Sequence, residues 1–178
     1  MARQVAFLRG VNLGKANRLA MADLKAALEG LGYTDVRTHG QSGNAVYDGT
    51  DAAPTAERRI HDAVRKATGL DVAVAVRTRA QLAKVVERNP LAKVAKDPKK
   101  HLVVFLTAKP RASVVKALDP AEFEPERFAV ESREVYVWLP NGVQRAKLGQ
   151  SSWEPRLGVS GTARNWATVE RVLELASD

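Results

Sequence analysis

The order in which two hydrophobic periodicities alternate constrains this chain most tightly. Val5 and Phe7 alternate with Ala6 and Leu8 within Arg3–Arg9, which is the period of a strand. After a Gly/Asn-rich stretch from Gly10 to Arg18, Met21, Leu24, Ala27, Leu28 and Leu31 recur at helical spacing, and Gly32 ends that helix. Val36–Thr38 and Asn44–Tyr47 read as two short strands around Ser42-Gly43. A helix over about Thr55–Thr68, with Ile60, Val64 and Ala67 on one face, leads to a Val-rich strand, Asp71–Arg77. The order β-α-β-β-α-β is that of a ferredoxin-like split unit.

The second half repeats most of this order. A helix at Arg79–Arg88 precedes a Pro/Lys-rich linker with Pro90, Pro98 and four lysines from Lys93 to Lys100. His101–Thr107 is a strand, Pro110 opens a short helix through Leu118, and Arg127–Glu131 with Glu134–Leu139 form a hairpin. The last helix is expected from about Ala163 to Ala176, with no closing strand before it. Residue-level identity between the halves is not evident, so the repeat is one of architecture. The expected fold is α+β, with two ferredoxin-like (βαββα-type) subdomains and antiparallel sheets. Residues 1–88 form the first, 89–100 the linker, and 101–178 the second, which ends in the C-terminal helix.

This topology has a geometric consequence. The loop after the first strand and the turn between the second and third strands fall at one end of the sheet. Gly10–Asn17 and Gln41–Asn44 are therefore expected to converge, and this is the strongest indication of a site in the chain.

Composition limits the chemistry. With no cysteine among 178 residues, disulfides, thiolate metal sites and cysteine nucleophiles are excluded. His39, His61 and His101 are too far apart for metal-ligand spacing, and no Gly-x-Ser-x-Gly elbow occurs. No cofactor is indicated and no recognisable catalytic motif is present. No apolar run reaches the length of a membrane span, and the N-terminus does not read as a signal peptide, so the expected location is cytoplasmic. The net charge of +8 favours an anionic small molecule or nucleic acid as partner.

Three segments carry groups that could recognise such a partner. In Arg9-Gly10-Val11-Asn12-Leu13-Gly14-Lys15, two glycines permit positive φ and close ligand approach between a strand and a helix. The glycine spacing is one residue short of a phosphate-binding P-loop, and Ala16 stands where its hydroxyl residue belongs. In Gln41-Ser42-Gly43-Asn44, two carboxamides flank an ordinary hairpin turn and can each donate and accept. In Thr162-Ala163-Arg164-Asn165-Trp166, Thr162 is expected to cap the last helix, leaving free N–H groups beside Arg164 and Asn165. Trp166 is expected in the core.

Taken in order, Arg9–Gly14, Met21 with Leu24, Gln41–Asn44 and Thr162–Trp166 with Thr168-Val169 resemble the domain of unknown function 1697 family over nearly the whole chain. Lys15 stands where members usually carry a second glycine, and Gly40 where they carry a bulkier residue. The resemblance implies the two-part ferredoxin-like fold and supplies no activity or catalytic residues.

The functional expectation is therefore a binding protein for a phosphate-bearing small molecule, nucleotide or short nucleic acid. Its candidate ligand residues are Arg9, Asn12, Lys15, Gln41, Ser42, Asn44, Arg164 and Asn165. The alternatives are a small enzyme with His39 as general base, an RNA-binding sheet that stacks bases on Phe7, Tyr47, Phe105, Tyr136 and Trp138, and a structural or interaction protein, for instance a homodimer through a sheet edge.

Overall fold

A computed structural model describes residues 1–178 and divides them into two compact units, 1–84 with 171–178, and 85–170. In the first, β1 (Ala2–Leu8), β2 (Thr34–His39), β3 (Asn44–Gly49) and β4 (Val74–Thr78) form a sheet in the order β2-β3-β1-β4 with every neighbouring pair antiparallel. The central place of β1 accounts for its sequence. Val5, Ala6, Phe7 and Leu8 are all fully buried, so both faces of this strand must be apolar. Helices α1 (Met21–Gly30) and α2 (Ala53–Thr68) cover one face, where Leu24, Leu28, Ile60 and Val64 join Ala6, Leu8, Tyr47 and Val76 in one core. Gly69, at φ 76°, ends α2 in the left-handed conformation.

A polar network fastens the end of this sheet remote from the Gly10–Arg18 loop. The Tyr33 hydroxyl donates to Asp51 Oδ2 at 2.7 Å, and Arg59 donates to the same oxygen. Arg59 also donates to the Leu31 carbonyl at 2.9 Å and lies over the Tyr33 ring. Tyr47 donates to Gln4 Oε1, and Gln4 in turn donates to the Asp51 carbonyl, at 2.9 and 2.8 Å. Helix, sheet and the loops that join them meet at Asp51, whose carboxyl pKa the Tyr33 hydrogen bond holds below its ordinary value.

The second unit holds β5 (His101–Leu106), β6 (Arg127–Glu131), β7 (Glu134–Trp138) and β8 (Gly161–Asn165), in the order β6-β7-β5-β8, again antiparallel throughout. The fold is thus α+β with two ferredoxin-like antiparallel sheets, as expected. The most consequential difference from the sequence reading lies before the last helix. The second sheet does have a closing strand, because Gly161–Asn165 is extended along β5, and the last helix, α6 (Trp166–Ser177), begins only afterwards. Thr162 and Arg164, which we expected at the helix start, are ladder residues. Trp166, Val169, Leu173 and Ala176 follow a helical period, which hid the strand directly before them. Short helices α4 (Ala112–Lys116) and α5 (Trp153–Leu157) pack with Phe123 and Leu148 against Leu102, Val104, Leu106, Val135 and Val137. Trp153 is fully buried there. Trp166, expected in the core, is only half-buried. The remaining helix, α3 (Arg79–Glu87), follows β4.

The ladders reveal a residue-level correspondence between the units. The N–H of Leu8 donates to the Gly43 carbonyl and that of Leu106 to the Arg133 carbonyl, at 2.9 and 2.8 Å. The next N–H groups, of Arg9 and Thr107, donate to Ala73 and Ser160, both at 2.9 Å. In this register Val5 matches Val103, Phe7 matches Phe105, and Arg77 matches Arg164, which lie opposite Val5 and Val103 respectively. The next residues cap the helices that follow. Thr78 Oγ1 accepts from the Gln81 N–H, and Asn165 Oδ1 accepts from the Thr168 N–H. Differing loop lengths kept this pattern out of the linear sequence.

Candidate functional site

The two segments expected to converge do so, at the loop end of the first sheet. Asn12, at φ 56°, is the joint: its Nδ2 donates to the carbonyls of Leu19 and Gln41, both at 2.7 Å, while its Oδ1 accepts from the Leu19 N–H at 2.9 Å. The Asn12 N–H donates to the Asn17 carbonyl, and Asn17 Nδ2 donates back to the Gly10 carbonyl. Asn44 is buried and donates to the His39 carbonyl at 3.0 Å. Both asparagines are thus engaged in shaping the loops.

Gly43 has an equally local reason. A β-carbon there would lie 2.8 Å from both Leu8 Cβ and Val11 Cγ2, and its φ is +78°. Only glycine lets the turn close onto β1.

What remains directed to solvent is Leu13 through Arg18, with Gln41 and Ser42 across the turn. Leu13 is 63% exposed, unusual for a leucine. Lys15 and Arg18 form no ion pair, and no Asp or Glu occurs in Met1–Ala22 or Val36–Tyr47. The sign of φ alternates along the loop, positive at Gly10, Asn12 and Gly14 and negative between them. Successive N–H groups in alternating backbone conformations form concavities that suit anions. The N–H groups of Leu13, Gly14 and Lys15 donate to nothing within the chain.

Arg164 and Asn165 belong to the second unit. Arg164 is buried on β8, where it donates to Thr162 Oγ1 and the Ala163 carbonyl at 2.7 and 2.8 Å. Desolvation pulls its pKa down to about 10, so it stays charged near neutrality. Asn165 is the helix cap described above. The expected arrangement, with Thr162 capping and N–H groups presented beside Arg164, is replaced by an arginine enclosed in its own strand.

The other readings meet specific obstacles. Phe7, Tyr47, Phe105 and Tyr136 are buried, Tyr47 stacking on Tyr33 with 4.5 Å between centroids, which leaves no base-stacking platform on those rings. The His39 imidazole has no hydrogen-bond partner, so no group orients it as a general base. No cluster of three His, Cys, Asp or Glu side chains is placed to hold a metal ion, and no helix is long and apolar enough to cross a membrane.

His101 was given no role from sequence. It is buried, its Nε2 lacks a hydrogen-bond partner, and its ring stacks on Trp166 at 4.5 Å and 9°. Desolvation lowers its pKa from the ordinary 6.5 to about 4. The folded state therefore favours the neutral ring, and this contribution is complete above pH 6.5 and lost as pH falls toward 4. The difference corresponds to an upper bound of roughly 3 kcal/mol. We expect the midpoint of urea unfolding to drop over that interval, and His101→Phe, which keeps a ring against Trp166, to flatten the acid limb. An unchanged acid limb in that variant would assign the effect elsewhere. His61 acts in the opposite sense: hydrogen bonds to Asp71 and Asp62 raise its pKa, so its smaller, partly exposed contribution is lost as pH rises.

Comparison with known proteins agrees with this architecture. The chain superimposes on the conserved bacterial protein SP0830 from Streptococcus pneumoniae with a TM-score of 0.72 over 98% of each chain, at 17% sequence identity, which is a likeness of fold. Among curated proteins, none matches the chain. The family described as protein of unknown function (DUF1697) matches residues 1–136, a span that contains Arg9–Gly14 and Gln41–Asn44 but not Thr162–Trp166. With both motifs of the first unit and most of the chain inside that match, the protein belongs to the DUF1697 family.

Proposed function

We propose that this protein binds a phosphate-bearing ligand, a small molecule, nucleotide or short nucleic acid, at the loop end of its first unit. The observation that carries the reading is the Leu13–Lys15 backbone. Its N–H groups are unused, in a loop of alternating φ held rigid by Asn12, and Lys15 and Arg18 stand beside it without acidic neighbours in sequence. Unpaired N–H donors in a loop that Asn12 braces, with two cations beside them, suit an anion at little cost in reorganisation. Gln41 adds a carboxamide from across the turn. Asn12 and Asn44 support the loops and do not touch the ligand.

A thermal-shift screen with nucleotides, sugar phosphates and short oligonucleotides tests this. A ligand at a hundred times its Kd adds about 2.7 kcal/mol of stability. Lys15→Ala with Arg18→Ala should weaken a hit by about tenfold or more. Because both residues are exposed, the unliganded melting temperature should barely move. Absence of any hit, or a hit indifferent to the double substitution, would remove the loop as the site.

A further inference from the structure

The register shared by the two sheets identifies a second place where a strand-end loop meets a hairpin turn. The positions of Arg9 and Gly43 in the first unit correspond to Thr107 and Arg133 in the second. A pocket of about 220 Å³ opens at that end, lined by Lys109 and Pro110 after β5, Ala112, Val115 and Lys116 of α4, and Val130 and Ser132 at the β6–β7 turn. Lys109, Arg111 and Lys116 are exposed and none of them forms an ion pair. Glu131 follows Val130, and alternation along β6 carries it to the opposite face from the pocket wall. The pocket is therefore walled mainly by aliphatic residues, with two lysines and a serine among its lining residues and no Asp or Glu.

We infer that the second unit carries its own anion-binding site in this pocket, for a compact phosphomonoester with a short aliphatic body. Its volume lies below the roughly 300–1,000 Å³ of sites that enclose drug-sized ligands, which limits the ligand to a few heavy atoms beyond the phosphate. Lys109 and Lys116 supply the charge, Ser132 a hydroxyl donor, and Pro110, Val115 and Val130 the apolar contact. The site uses no residue of the Gly10–Arg18 loop and stands independently of the reading given to it.

Backbone amide NMR of the full chain provides the test, with propyl phosphate as the probe and propanol and inorganic phosphate as comparisons. Propyl phosphate should shift the amides of Lys109, Ala112, Lys116 and Ser132 saturably, inorganic phosphate more weakly, and propanol not at all. Lys109→Ala with Lys116→Ala should raise the Kd by about tenfold or more. Lys15→Ala with Arg18→Ala should leave these shifts unchanged, which separates this site from the first. The inference is overturned if those amides do not respond, if propanol shifts them equally, if the response spreads over lysines throughout the chain, or if it survives the Lys109/Lys116 double substitution.

Discussion

Gly43→Ala should destabilise the first unit by about 2–5 kcal/mol, combining the left-handed backbone cost of roughly 1–2 kcal/mol with overpacking of about 1–3 kcal/mol. The β-carbon would press on Leu8 and Val11 at 2.8 Å, and Leu8 belongs to the central strand, so the contact has no flexible end to yield. Relieving it would draw the turn away from β1 and lengthen the Leu8 N–H to Gly43 carbonyl bond. Gly40 is the internal control. It too has positive φ, at +62°, but its β-carbon would meet nothing within 4 Å. Gly40→Ala should then cost only the backbone share, about 1–2 kcal/mol. Urea titrations of both variants decide the matter. Equal losses would mean that backbone conformation alone selects glycine at position 43, and that the turn does not depend on close approach.

The second large effect is expected at Trp153, where alanine should cost about 3–5 kcal/mol. This ring is 1% exposed, meets Phe128 edge-on with 5.4 Å between centroids, and donates from Nε1 to the Leu148 carbonyl at 3.2 Å. Alanine would leave a cavity in the second core and strand that carbonyl. Trp166→Ala should cost about 1–2 kcal/mol, because it removes a half-buried ring stacked on one face of His101. A larger loss at Trp166 than at Trp153 would contradict the core assignment of the second unit.

The same two tryptophans show where sequence reasoning reached its limit. Trp166 sits at helical spacing with Val169, Leu173 and Ala176, and periodicity placed it inside. Its position at the first residue of α6, directly after a strand, takes it out of that pattern. Trp153 belongs to α5, a helix of five residues, too short for any period to register. The first unit was more legible because its elements are longer and its glycines punctuate them. The convergence of Gly10–Asn17 with Gln41–Asn44 follows from strand order alone, whereas the use of Asn12 and Asn44 for internal bonding does not. A carboxamide that recognises a ligand and one that braces a loop look alike until their partners are known. The Lys109–Lys116 pocket was beyond reach for a related reason: its lysines flank a short helix and meet Ser132, distant in sequence, only through the folded sheet.

The Asp51 network bears on how such a protein can change over evolutionary time. Tyr33, Arg59 and Gln4 bond Asp51 at one end of the first sheet, with Tyr47 holding Gln4, and the exposed stretch from Leu13 to Arg18 lies at the other. Substitutions within Leu13–Arg18 need not disturb the fastening of α2 onto the sheet. Mutational tolerance is thereby expected at one pole of the unit and thermodynamic robustness at the other. Relatives can then vary that loop while inheriting an unaltered scaffold.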